Sequence, residues 1–243
     1  MTAESDPDPT QNRLLASLSA TDRERLHPHL EALELPYKAS LYEANEPIGH
    51  VYFITSGVGS LVNTMRNRQA AEVGTIGNEG VVGLPILLGD EQGPTSVYMQ
   101  VPGAGLRMKA DVFRQEVLRS DTMRTAFLRY VHAFFNQVAQ SAACAHFHTL
   151  ERRCCRWLLM THDRVHADEF LLTHEFLAMM LGVRRAGVTV AAGALQKRGL
   201  IRYKRGRVTI LDVKGLQKLS CECYGVTKRE FDRLLGNIRQ GRK

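Results

Sequence analysis

LLTHEFLAMMLGVRRAGVTVAAGALQKRGLIRYKRGRVTIL, residues Leu171 to Leu211, reads as a helix, a tight turn, a second helix and a basic β-hairpin. Thr173 can cap the first helix through its hydroxyl, and Leu177, Met180 and Leu181 recur at helical spacing before Gly182 permits a sharp turn. The following segment, from Arg184 to Arg198, sets Val188, Ala191, Ala192 and Leu195 on one face for packing. Its other face carries Arg185, Ala186, Thr189, Val190 and Lys197 and is free to dock. Gly199 stops that helix; Ile201 and Tyr203 then alternate with Arg202 and Lys204, and Val208 and Ile210 flank Thr209. Arg205-Gly206 fits the tip of the hairpin.

Charge says what such a unit would meet. Between Leu171 and Leu211 eight basic residues face one acid, Glu175, leaving +7. The whole chain, with 32 basic and 25 acidic residues, is also +7, so everything outside the segment balances. A positive field this local favours a polyanion at one site over general solubility. Small residues at Ala186, Val190 and Gly193 let a helix backbone approach base edges in a major groove, where Arg185 can reach guanine. A protein-interaction module with a solvated basic face is the plainer alternative, but turn glycine, hairpin and concentrated charge coincide here.

The ordered set resembles the winged-helix domain of the Crp/Fnr (catabolite-activator-like) transcription regulators, with LTHEFLAMMLGVRRAGVTVAAGALQKRGLI standing where that family carries its DNA-reading motif. The resemblance runs from about Leu14 to Leu235. It implies an α+β chain in four parts: a disordered tail over 1–12, a cyclic-nucleotide-binding-type antiparallel β-roll sensor over 13–118, a dimerisation helix over 119–148, and a winged helix-turn-helix over 149–243. It implies double-stranded DNA as partner, with RNA polymerase as a further candidate. Arg185 is expected to contact a base, with Ala186, Thr189 and Val190 beside it and within reach of thymine methyls. Arg184, Lys197, Arg202, Lys204, Arg205 and Arg207 are expected to meet phosphates, joined by Thr173 and His174 at a helix N-terminus. In the family's best-known pattern a base-reading Glu and a second Arg follow the first Arg; Ala186 and Val190 stand there, so the operator should differ.

The sequence ahead of this unit agrees. From Glu34 to Met108 it breaks into short β runs, ALELPY, SLYEA, HVYFITSG, GSLVNTM, AEVGTIG, SVYMQV and GLRMKA, separated by Asn45, Gly57, Gly74, Gly77 and Gly103. Such a pattern argues for an antiparallel roll or sandwich; HVYFITSGVGSLV and GNEGVVGLP resemble the family's β-roll. Before it, Ser19 or Thr21 can cap a helix at TDRERLHPHL that Pro28 ends. Relatives that bind cAMP hold its phosphate with an Arg and its ribose with a Glu. Here the Arg-Ser-Ala run is matched by Pro94-Thr95-Ser96 and the Gly-Glu-Leu-Gly run by Gly80-Val81-Val82-Gly83, so both charged contacts are gone. By register from Arg153, Val138 and Ala139 stand where those relatives offer hydroxyls to the base. The expected effector pocket is therefore Gly80, Val81, Gly83, Thr95, Ser96, Val138 and Ala139, with cAMP not its ligand, the effector unknown and no cofactor expected.

Leu128, Val131, Phe135, Val138, Ala142 and Ala145 follow a 3, 4, 3, 4, 3 spacing, a heptad seam for a partner helix. Phe127 and Phe134 form a second line suited to rest on the roll. A homodimer would set two reading heads one turn of DNA apart; a single amphipathic helix covering its own sheet is the alternative.

At 243 residues and 44% hydrophobic, the chain can bury two modest cores. Five cysteines without framework spacing suit a reducing compartment, MTAESDPDPTQN resembles no export signal, and the apolar run Gly80 to Gly89 contains Pro85 and is too short for a bilayer. A cytoplasmic location without membrane contact is expected. Cys144 and His148 lie four apart, as do His162 and His166, yet no CxxC pair occurs, and the first cysteine, Cys144, comes too late for an Fnr-type iron-sulfur sensor. Adjacent Cys154 and Cys155 are poorly placed to bridge. Buried packing thiols and no metal are the expectation, with a thiol- or metal-based sensor, or a non-transcriptional ligand-binding signalling module, as rival functions. No Gly-x-Ser-x-Gly occurs, and Gly57-Val58-Gly59-Ser60 has no phosphate-loop lysine, so no enzyme activity is expected.

Overall fold

The structure, a computed structural model, describes residues 8–236. A 3₁₀ turn at Pro9–Gln11 leads into α1 (Arg13–Ala16) and α2 (Ala20–Leu26), the latter capped by Ser19, whose Oγ accepts from Asp22 N–H at 3.1 Å. Pro28 lies in the 3₁₀ turn that ends it. Of the expected tail, 1–7 lie outside the described residues and 8–12 are structured. Asn12 is fully buried because its Oδ1 caps α1 while its Nδ2 donates to the carbonyls of Ile54 and Gly80, 2.9 and 2.8 Å away. A side chain that satisfies two buried carbonyls ties this end to the sheet.

The roll comprises β1 (Glu31–Leu35), β2 (Ser40–Tyr42), β3 (His50–Thr64), β4 (Ala70–Ile76), β5 (Val81–Val82), α3 (Leu84–Leu88) and β6 (Ser96–Lys109). All pairings are antiparallel, in the order β1-β6-β3-β4, with β2 on β6 and β5 on β3. The four segments expected as separate strands around Gly57 and Gly103 are two long ones. Gly57, at φ +86°, and Gly103 face each other across register shifts, and a Cβ on Gly57 would come within 2.6 Å of the Val101 carbonyl. The glycines therefore bend a continuous pair of strands instead of breaking it. The apolar run at 80–89 also yields an unanticipated helix, α3, entered by left-handed Gly83, carrying Pro85 in its first turn, and closed by left-handed Gly89.

α4 (Ala110–Leu118) leads to α5 (Asp121–Phe147), capped by Ser120. Phe127 and Phe134 are buried on the roll, as their spacing predicts, together with Met123, Tyr130 and Gln137. Four of the six seam residues point outward: Leu128 is 49% and Phe135 66% exposed, and Ala142 and Ala145 are exposed, while Val131 and Val138 are half-buried and Val138 packs against the core of the roll. α6 (Leu150–Val165) then buries Cys154, Trp157, Leu158 and Met160. β7 (Glu169–Leu171), α7 (His174–Leu181), α8 (Arg185–Lys197), β8 (Ile201–Lys204), β9 (Arg207–Ile210) and α9 (Val213–Leu219) follow, the strands forming a sheet β7-β9-β8. The chain's described part ends with α10 (Cys223–Leu235).

The described residues bury two large apolar cores, and elements of each half contribute to the other. Phe231 and Leu235 of α10 join the core of the roll and α5, and Asp232 pairs with Arg13 at 2.8 Å. In the other direction Val58, Val62 and Val101 of the roll complete the core beneath α6, α7 and α8. Among the described residues α10 therefore bridges the two cores: Tyr224 joins the one beneath α6, while Phe231 and Leu235 lie against the roll and α5. Among the described residues no single helix is long and apolar enough to cross a membrane.

Candidate nucleic-acid interface

α7 starts at Thr173, whose Oγ1 accepts from Phe176 N–H at 3.1 Å, and stops at Gly182 in the left-handed region at φ +62°. α7 and α8 meet at 108°, within the range of a helix-turn-helix. Val188 and Leu195 are fully buried, with Ala191 and Ala192 nearly so. Arg185, Ala186, Thr189 and Lys197 are exposed on the opposite side, and Val190, at 74% exposure, stands among them. An exposed valine on a helix whose inner face is already filled has no packing role in the isolated chain.

Behind α8 the hairpin of β8 and β9 turns through Arg205 and Gly206, both with positive φ (50° and 75°), the two-residue type I′ geometry. Arg202, Lys204, Arg205 and Arg207 are exposed on it, as is Arg184 at the start of α8. Arg207 lies 3.4 Å from Glu169, so part of its charge is answered within the chain. The wing is tied to α8 and to the segment that enters α7. Tyr203 N–H donates to Gln196 Oε1 at 2.6 Å, and Tyr203 Oη donates to the Leu172 carbonyl.

His174 is held between the parts. Its ring lies 4.3 Å from that of Tyr203, and its Nδ1 is 3.0 Å from Thr189 Oγ1. Thr189 gives its own proton to the Arg185 carbonyl at 3.1 Å, so Nδ1 is the donor to it. Burial, and then the Arg185 charge, lower the imidazole pKa. His174 therefore aligns α7, α8 and the wing as a neutral group, while Thr173 spends its hydroxyl on the cap.

The expected effector residues are not gathered around one space. A Cβ on Gly80 would meet Tyr130 Oη at 2.2 Å, Val81 is 1% exposed, and Gly83 backs onto Val51. Ser96 Oγ accepts from Ala44 N–H at 3.0 Å, and Ala139 is exposed on α5. Only Val138 borders an open cleft, of about 380 Å³, between β4, α5, α6 and α7, with Glu72, Thr75, Gln137, Arg156 and Trp157 around it.

Two polar links across that region were not legible in the sequence. Glu79 turns to α6, where Arg164 donates to its carboxylate at 2.7–3.1 Å and to Gln137 Oε1 at 3.1 Å. Burial raises the Glu79 pKa, but the guanidinium overcomes it and the net shift is downward. Glu72 accepts from Trp157 Nε1 at 3.1 Å and lies 2.6 Å from Ser60 Oγ; burial pushes its pKa up to about 7. As for the cysteines, Cys154 and Cys155 sit in the core under α6 and burial pushes both thiols up to about 12, as packing thiols should behave. Cys144, Cys221 and Cys223 are buried in a separate cluster, with His148 beside them.

A wing-backed helix-turn-helix beside an antiparallel roll and a long helix defines a DNA-binding regulator with a sensor-type domain. The comparisons agree. The cyclic nucleotide-binding domain family matches residues 33–120, and the Crp-like helix-turn-helix domain family matches 152–219. No curated protein matches the chain. Similar solved structures include a transcriptional regulator of the Crp/Fnr family from Eubacterium rectale (18% identity, TM-score 0.66, 85% of this chain and 96% of that one). FixK2 from Bradyrhizobium japonicum is another (13%, 0.67, 79% and 98%). So is the c-di-GMP responsive global regulator CLP of Xanthomonas campestris (17%, 0.64, 80% and 100%). The chain belongs to the Crp/Fnr family of transcription regulators.

Proposed function

We propose that two copies pair along the exposed seam of α5 and set two α8 helices into successive major grooves of double-stranded DNA. Arg185 reads a guanine, and Ala186, Thr189 and Val190 line the approach to neighbouring bases, Val190 against a thymine methyl. Arg184, Lys197, Arg202, Lys204, Arg205 and Arg207 meet phosphates, with Thr173 and His174 presenting the backbone at the start of α7. The observation that carries this is Val190: a 74% exposed valine in the middle of a cationic face, beside an arginine free to reach outward.

The sensor domain, taken as 13–118, does not respond to cAMP. The missing Arg and Glu support this, and so does the filling of the space beside Gly80 by Tyr130. The protein works in the cytoplasm and acts on RNA polymerase from its operator. Selection of bound duplexes from a random library, followed by titration over a salt series, tests the reading. A two-fold symmetric site and a steep fall of affinity with salt are expected. Recovery of no preferred sequence would overturn it, and so would tightening of the complex by micromolar cAMP for the effector claim.

A further inference from the structure

The three cysteines outside both apolar cores stand in a place where packing alone gives them little to do. Cys144 lies in the last turn of α5, and His148, four residues on, is the residue that closes that helix. Cys221 and Cys223 flank Glu222 where α10 begins, on the other side of the long excursion through the helix-turn-helix. The fold brings the four together: Cys144 Sγ is 3.5 Å from Cys221 Sγ, and Cys223 Sγ is 3.5 Å from His148 Nδ1. All four donor atoms lie within 4.8 Å of one another. Metal–sulfur bonds of about 2.3 Å and metal–nitrogen bonds of about 2.0–2.1 Å make tetrahedron edges of roughly 3.5–3.8 Å, so the set is already close to that size.

The surroundings point the same way. His148 Nε2 is 3.2 Å from the Glu222 carboxylate, which fixes the proton on Nε2 and turns the Nδ1 lone pair into the cluster. Gln140 Nε2 donates to Cys223 Sγ at 3.0 Å, a contact that suits a thiolate better than a thiol. The three cysteines are 0–2% exposed and the His148 side chain is 12% exposed, so water is largely shut out.

We propose that Cys144, His148, Cys221 and Cys223 bind one zinc ion in a tetrahedral three-sulfur, one-nitrogen site that fastens the end of α5 to the start of α10. Three thiolates and a neutral imidazole favour zinc among the common divalent ions, and a full set of four protein donors makes the site structural. An iron-sulfur cluster needs donors spread wider, since its thiolates bind different irons. Binding releases the thiol protons to solvent and involves no change of oxidation state. The consequence is mechanical: the helix that carries the dimer seam and the helix that returns to the first core are clamped at the junction leading to α6.

The full chain, purified under reducing conditions, should carry one zinc per chain by elemental analysis. After removal of zinc, added cobalt(II) should give thiolate-to-cobalt charge transfer and the intense visible bands of tetrahedral cobalt. Cys154→Ser and Cys155→Ser should leave both readouts unchanged, whereas Cys221→Ser with Cys223→Ser should abolish them. Glu222→Gln, which keeps every donor, should weaken zinc binding about 10- to 100-fold. The wild-type cobalt spectrum decides the matter even if the double variant fails to fold. A chain that takes up neither metal, one that holds iron with inorganic sulfide, a Cys144–Cys221 disulfide in the reduced preparation, or metal retained after loss of Cys221 and Cys223 would overturn the proposal.

Discussion

Arg185 and Thr189 lie one helical turn apart on the outer face of α8, and the Thr189 hydroxyl already bonds the Arg185 carbonyl, so the arginine side chain leaves a braced backbone. Replacing Arg185 by Ala should cost about 1–3 kcal/mol of operator binding and relax preference at one base position. Competition assays against single-base operator variants check this, and equal weakening on every sequence would make Arg185 a phosphate anchor instead. Glu72 offers a second test at this scale. Its folded-state pKa, about 7, lies above the ordinary carboxyl value of 4.5, so its contribution to stability is fully present below about 4.5 and lost as pH rises through about 7. Because Trp157 is the chain's one tryptophan and donates to Glu72, its fluorescence should titrate with a midpoint near 7, and Glu72→Gln should flatten the curve. An unchanged titration in the variant would assign the transition elsewhere. The exposed basic face of α8 and its hairpin was legible because charge and helical spacing are local properties. Glu72 was not, since nothing in AEVGTIG says that a tryptophan from a distant helix will cover it.

At the scale of elements, α6 is joined to the roll by a buried ion pair. Arg164 and Glu79, 8% and 5% exposed at their side chains, meet from positions 85 residues apart. Arg164→Met leaves the Glu79 carboxylate buried without its counter-charge, holding only the Gly77 N–H, and should lower stability by about 3–5 kcal/mol, whereas adding Glu79→Leu should restore a large part of the loss. Urea unfolding measures both. A neutral single variant would mean that water reaches Glu79. Sequence patterning found α7, α8, the wing and both faces of α5, because each depends on residues three or four apart or on alternation. It split β3 and β6, because glycine was read as a break where the fold uses it for a bend. It did not show that α10 reaches both cores, because an amphipathic helix does not declare which core each part of its apolar side joins. The Cys144–His148 spacing was visible on α5, but its partners at Cys221 and Cys223 come from the far side of the DNA-binding unit.

For the whole molecule, the isolated chain leaves a row of apolar side chains in water along α5, at Leu128, Phe135, Ala142 and Ala145. Two copies laid seam to seam would cover it, and two reading helices would then face DNA one turn apart, about 34 Å. Phe135→Glu with Leu128→Glu should give a folded monomer by sedimentation velocity, with operator affinity reduced to the level of nonspecific binding. A dimer that survives both changes would place the contact elsewhere. The most direct test of the central claim is hydroxyl-radical footprinting of the wild-type protein on its selected operator. The expected result is two equivalent protected tracts, related by two-fold symmetry and centred one helical turn apart, with Arg185→Ala exposing both. A single protected tract, or protection independent of Arg185, would contradict the assignment of α8 as the reading helix of a paired molecule.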